Sequence, residues 1–183
     1  MEKRIQQIKP GEIFRIAITG PESTGKSTLA EQLAQHFKTG FRPEYAREYL
    51  GFLDRPYEFN DIELIAREQI KTETEWLKTT NQIFIADTEL LVIKIWMEHK
   101  YHHCPSWVLN EIEANPYDLY LLCDIDIPWK PDPQREHPNM REYFFGLFHD
   151  ELVKRKFNFV VITGAEKKRL NLAIQSIEKY LIK

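Results

Sequence analysis

The chain has little cysteine, no long apolar run and almost no charge bias. Its 183 residues include two cysteines, Cys104 and Cys123, without paired spacing. That excludes a disulfide framework and fits a reducing compartment, so a cytoplasmic location is expected. No apolar run approaches the ~20 residues needed to cross a bilayer. The polar opening MEKRIQQIKPGE has no secretory apolar core. A net charge of -3 gives no general attraction to nucleic acid or to anionic membranes. Short basic clusters at residues 153–156 and 166–169 read as solvated helix faces. Repeats, low-complexity tracts and linker-like shifts in composition are missing, so a single domain over residues 1–183 is expected.

Short apolar segments alternate with amphipathic ones. Residues 13–19 (IFRIAIT), 83–87 (IFIAD), 119–124 (LYLLCD) and 157–163 (FNFVVIT) read as buried strands. Residues 41–44 (FRPE) are the weakest strand candidate, because Pro43 restricts them. Leu29, Leu33 and Phe37 repeat every four residues and give one helix an apolar face, with Gly40 as its stop signal. Asn60 is the expected cap of another helix, with Glu63 completing a capping box and an end near Thr79. Further helices are expected after residue 89, between 105 and strand four, over 140–156 and over 166–181. Apolar strands alternating with helices predict an α/β fold, a parallel sheet of about five strands covered on both faces. Ligands then sit beyond the carboxyl ends of the strands. Gly20, Glu44, Asp87 and Asp124 all lie at such ends and are expected to share one crevice.

Residues 20–27, GPESTGKS, fit the pattern GxxxxGK[ST] of a P-loop, between a strand and an amphipathic helix. Consecutive backbone N–H groups satisfy clustered phosphate oxygens, and the glycines permit the tight wrap. The following helix aims its positive end at the same anions. Lys26 reaches the β- and γ-phosphates, and the Ser27 hydroxyl suits Mg²⁺. Asp87, ending a neighbouring apolar strand, is the expected second metal partner, with Asp124 as its rival. The expected ligand is therefore a nucleoside triphosphate with Mg²⁺, its base left open by these residues.

The small chain favours phosphoryl transfer to a small molecule over a motor or switch, and no NKxD-like guanine signature occurs. Residues 127–139 hold four prolines in a loop long enough to be functional. Counted from about 126 to 141, this segment reads as a lid. Its Arg135, and Arg141 beyond it, would neutralise the transferring group and exclude water. Glu44 and Asp87 are alternative bases for an acceptor hydroxyl. HKYHHC (residues 99–104) has helical metal spacing at His99 and His103, yet no matching pair follows. A histidine-rich helix end is the preferred reading.

Four stretches, GPESTGKSTLAEQLA, PEYAREYL, IFIADTE and PWKPDPQR, together resemble the ribosylnicotinamide kinase domain of the NadR-like family of P-loop kinases. The resemblance runs from about Phe14 to Leu181. It implies ATP-dependent phosphorylation of the 5′-hydroxyl of nicotinamide riboside, giving nicotinamide mononucleotide. By this resemblance Gly20, Pro21, Glu22, Ser23, Thr24, Gly25, Lys26, Ser27 and Thr28 bind phosphates, and Asp87 serves Mg²⁺ or the acceptor. Glu44, Tyr45 and Arg47 lie by the nucleoside; Trp129, Asp132 and Arg135 form the lid; Thr163, Gly164 and Ala165 lie where similar kinases hold adenine. Gln69 would offer its amide to the substrate carboxamide. Aromatic faces suit a cationic ring, and Tyr45, Tyr49, Phe52, Tyr57, Trp96 and Trp129 are available. Larger members carry an HxGH nucleotidyltransferase domain and some a DNA-binding domain. This chain has no such motif, so neither activity is expected of it. The expected partner is a small nucleoside, with neither nucleic acid nor membrane and a homo-oligomer left open. A kinase for another nucleoside or metabolite, or an NTPase module serving a partner protein, are the competing readings.

Overall fold

Strand β1 (Phe14–Thr19) runs through the middle of a five-stranded sheet in the computed structural model, which describes residues 12–80 and 82–181. Most of the polar opening segment falls outside these residues. β1 pairs in parallel with β3 (Ile83–Asp87) on one side and β4 (Leu119–Cys123) on the other. The edges are β2 (Phe41–Arg42), beside β3, and β5 (Phe159–Ile162), beside β4. The order is β2-β3-β1-β4-β5, all parallel, which is the α/β P-loop NTPase arrangement.

Every residue of β3 and β4 is buried, because helices cover both faces. Ile16, Ile18, Ile85 and Leu121 pack on one face against α1 (Lys26–Phe37) and α7 (Glu166–Leu181). Ala17, Phe84, Ala86 and Leu122 pack on the other against α4 (Leu90–Tyr101) and α6 (Arg141–Lys154). A third cluster joins α2 (Tyr45–Phe52) and α3 (Phe59–Thr79) to α4 through Ala46, Ile62, Ile65 and Met97. Helix α5 (Ser106–Ala114) completes the elements of the described residues. The helix after β1 covers one face and the helix after β3 the other. The adjacent carboxyl ends of β1 and β3 therefore open a crevice between diverging chains.

Two helix boundaries differ from the sequence expectation. Helix α1 ends at Lys38, which takes the left-handed conformation (φ 52°) and donates its N–H to the Ala34 and Gln35 carbonyls. Gly40 serves packing instead, since a Cβ there would lie 2.5 Å from the Trp76 ring. Helix α3 is capped by Glu58, two residues before Asn60. Asp61 replaces Glu63 in the capping box because it is already fixed: Arg55 donates to both its oxygens, at 2.7 and 2.9 Å, and Tyr49 donates at 2.8 Å. These donors, Arg55 foremost, hold its carboxyl well below the usual range.

Candidate active site

The loop between β1 and α1 is built for anions. Gly20 has φ +126°, and a Cβ there would meet the Cys123 carbonyl oxygen at 2.9 Å, so only glycine lets the loop press on β4. Gly25 (φ +77°) turns the chain into α1. The first turn of α1 has no side-chain cap and no acidic residue. Its N–H donors and positive dipole are thus left for a ligand. Thr24 Oγ1 donates to the Pro21 carbonyl at 2.8 Å and stiffens the loop. Lys26 Nζ arches back to the Gly20 and Pro21 carbonyls, at 3.0 and 2.7 Å.

Asp87 ends β3 beside Ile18 of β1. Burial raises its carboxyl above the ordinary range, while the Ser27 hydroxyl hydrogen-bonded to it and the Lys26 ammonium pull the other way. Its Oδ1 is buried without a partner. An orphaned carboxylate oxygen beside a hydroxyl is a hard-oxygen donor set, and it fits Mg²⁺. Glu44 follows β2 and Pro43 and, like Ser27, lines the cleft. Desolvation raises its carboxyl; Lys26 lowers it and Asp87 raises it further.

The cleft measures about 390 Å³ and is lined by all of residues 20–28, by Glu44 and by Arg47. The size suits a small organic ligand. Residues 133–137, from the expected lid segment between β4 and α6, line one side of it. Arg135 donates to Ser23 Oγ at 3.4 Å, and Arg141 to the Ser23 and Ile127 carbonyls at 3.3 and 2.9 Å. Across the cleft Arg47 reaches the lid residue Asp132 at 3.0 Å. The far wall is aromatic and apolar, with Tyr57 from the α2–α3 loop, Ile95, Trp96 and His99 from α4, and Phe144 from α6. Arg55 also lines it, its charge balanced by Asp61.

The structure brings most predicted residues together, with clear exceptions. Of the four strand-end residues expected in one crevice, Gly20 and Glu44 line the cleft, whereas Asp87 and Asp124 do not: Asp87 meets it through its hydrogen bond with Ser27, and Asp124 Oδ1 accepts from the Ile125 N–H at 2.7 Å. Gln69 is buried but faces a second, smaller cavity beside Glu73 and Tyr117. Tyr45 and Tyr49 pack on one another outside the lining, the Tyr49 hydroxyl being taken by Asp61. Trp129 lies 6.0 Å from the Arg141 guanidinium and does not line the cleft. Thr163, Gly164 and Ala165 also lie outside the lining, where the Gly164 N–H donates to Asp126. Glu89, buried two residues beyond Asp87, caps α4 and accepts from Thr19 Oγ1 at 2.9 Å.

Two further residues, Arg169 and Arg42, were not singled out as site residues by the sequence reading. Arg169, almost fully buried, donates to the Gly164, Thr24 and Asp124 carbonyls at 2.7, 3.2 and 3.2 Å, tying α7 to the P-loop. Arg42, inside β2, reaches the Thr88 carbonyl at 2.6 Å and braces the turn after Asp87. His99 lines the cleft 4.9 Å from the His137 ring, while His103 stacks on Phe59. No cluster of three metal-ligating side chains occurs among the described residues.

This fold and this loop define a P-loop nucleotide-binding protein. The family model for the AAA domain matches residues 15–169, and the chain belongs to that family. It is 27% identical over 166 residues to the trifunctional NAD biosynthesis/regulator protein NadR of Salmonella typhimurium, covering 87% of this chain and 40% of that one. Among solved structures it resembles a NadR protein in complex with NAD and AMP-PNP (TM-score 0.71, 21% identity), covering 92% of this chain and 50% of that one. A NadR protein in complex with NR is similar at TM-score 0.69 and 19% identity, covering 93% and 52%. The chain thus spans two-fifths to half the length of these proteins. The NadR-like resemblance read from the sequence is borne out.

Proposed function

We propose that this domain is a kinase that passes the γ-phosphoryl group of ATP to the 5′-hydroxyl of nicotinamide riboside. One observation carries the reading: the anion loop and an aromatic-walled pocket share a single cleft, with Glu44 and Arg47 between them and an arginine-bearing lid across the top. A pure NTPase has no need of the second half. The NadR relatives, one of them solved with NR, support the choice of acceptor.

In this mechanism the amides of residues 20–28 and the first turn of α1 hold the phosphates, and Lys26 turns from the loop carbonyls to the β- and γ-oxygens. Ser27 and the free Oδ1 of Asp87 would hold Mg²⁺, which supplies charge neutralisation. Glu44 orients the acceptor hydroxyl and takes its proton; the desolvation that raises its carboxyl suits it to that task. The hydroxyl oxygen bonds to the γ-phosphorus, the bond to the bridging oxygen breaks, and ADP leaves. Arg135 and Arg141 neutralise the transferring group while the lid excludes water. Of the six aromatic residues expected to serve a cationic ring, Tyr57 and Trp96 line the cleft, joined by His99, and these three supply the faces in place of Tyr45, Tyr49, Phe52 and Trp129.

A nucleoside panel with an ADP-release assay tests the proposal. The highest kcat/KM is expected with nicotinamide riboside. Preference for another nucleoside would move the acceptor assignment, and ATP turnover unaffected by every nucleoside would overturn the kinase.

A further inference from the structure

Glu22 places a carboxylate inside a loop shaped for polyanions, where it would repel the phosphates. The structure shows what it engages. Its Oε1 and Oε2 accept from the Glu136 N–H at 3.3 and 3.1 Å, and Oε2 from the His137 N–H at 3.2 Å. These amides belong to the lid and directly follow Arg135. The next loop residue continues the seam, since Ser23 Oγ accepts from the Lys130 N–H at 2.8 Å and from Arg135. The same stretch of lid is held from the acceptor wall: the Glu136 carboxylate accepts from the Tyr57 hydroxyl at 2.9 Å and pairs with Lys100 at 3.7 Å.

We propose that Glu22 is a positioning residue whose carboxylate latches the lid to the P-loop, and so holds Arg135 and Arg141 over the group being transferred. The proposal rests on the kinase reading above. Hydrogen bonds to an ionised acceptor are roughly twice as strong as neutral ones. The side-chain ion pairs that also reach this segment, Arg47–Asp132 and Lys100–Glu136, involve partly exposed groups and contribute little by comparison. Glutamine keeps one acceptor oxygen and loses the charge; alanine keeps neither.

The test is a double-mutant cycle on Glu22→Ala and Arg135→Ala, with Glu22→Gln alongside. Glu22→Ala is expected to lower kcat by about 10²-fold, the scale of a 1 Å misplacement. Its KM for ATP should stay within about threefold of the intact protein. Glu22→Gln should fall between the two. Arg135→Ala should cost far less in the Glu22→Ala background than alone, because its guanidinium is already adrift. Additive losses, or a raised KM for ATP at unchanged kcat, would overturn the latch and leave Glu22 an ordinary loop residue. A second readout needs no acceptor. With Mg²⁺ and AMP-PNP present, trypsin should cut after Arg135 faster in Glu22→Ala than in the intact chain, and equal rates would also overturn the latch. Protection of the intact lid without transfer to any nucleoside would refute the kinase and leave the latch standing.

Discussion

Replacing Gly20 by alanine tests how the anion loop is built. Gly20 has φ +126°, a region almost closed to residues with a Cβ, which costs about 1–3 kcal/mol. The added carbon would also sit 2.9 Å from the Cys123 carbonyl oxygen and 3.3 Å from the Cys123 nitrogen. Both are backbone atoms of a buried strand and cannot swing aside, so overpacking adds about 1–3 kcal/mol. The sum, about 2–6 kcal/mol, corresponds to a fall in Tm of about 4–24 °C for a chain of this size. ATP affinity should fall with it, because relief requires the loop to lift from β4. Gly146 is the control: it lies in α6, and a methyl group there would have no neighbour within 4 Å. Alanine at that position should be neutral or stabilise by up to about 1 kcal/mol. Scanning calorimetry of both variants, with and without Mg-ATP, reads these effects. A Gly20→Ala chain as stable as the parent, with ATP binding intact, would refute the packing of the loop on β4.

Three further outcomes follow from the same geometry. Glu44→Gln should lower kcat by about 10²–10⁴-fold, and the acid limb of the parent pH–rate profile, set above the ordinary carboxylate range by the raised carboxyl, should vanish with it; an unchanged limb would remove Glu44 as base. Arg169→Ala should destabilise by about 2–4 kcal/mol, since three carbonyls lose their buried donor, and should weaken ATP binding through Thr24; denaturant melts at fixed ionic strength measure it. Glu89 is fully buried and its carboxyl is raised to about 7. The folded chain therefore holds that proton more tightly than the unfolded one, and stability should decline as pH rises from the unfolded value near 4.5 through 7. Glu89→Gln should lack this decline; identical pH profiles for the two chains would contradict it.

The sequence showed the sheet well because its strands are buried on both faces. IFIAD and LYLLCD carry apolar runs ending in an acid; the first appears as a strand with the expected residues and the second stops one residue earlier, at Cys123. The phosphate loop was equally legible, since its glycines, Lys26 and Ser27 act over eight consecutive positions. What failed depended on distant partners. Nothing local in α3 shows that Asp61 is already held by Arg55 and Tyr49 and so moves the cap. Gln69 was placed by analogy, but side-chain direction on a 21-residue helix depends on its packing, which turns it to another cavity. His99 was read with its histidine neighbours as a helix end; the lid that brings His137 to it is 38 residues away. Arg169 looked like one member of a solvated basic cluster, and only the return of α7 beneath the loop makes it a buried brace.

The most direct measurement is a single turnover with γ-labelled ATP, Mg²⁺ and nicotinamide riboside on the intact chain and on Lys26→Ala. The account predicts label in nicotinamide mononucleotide from the intact chain and none from a correctly folded Lys26→Ala. Label appearing as inorganic phosphate at a rate indifferent to the nucleoside, or equal transfer by the lysine variant, would contradict it.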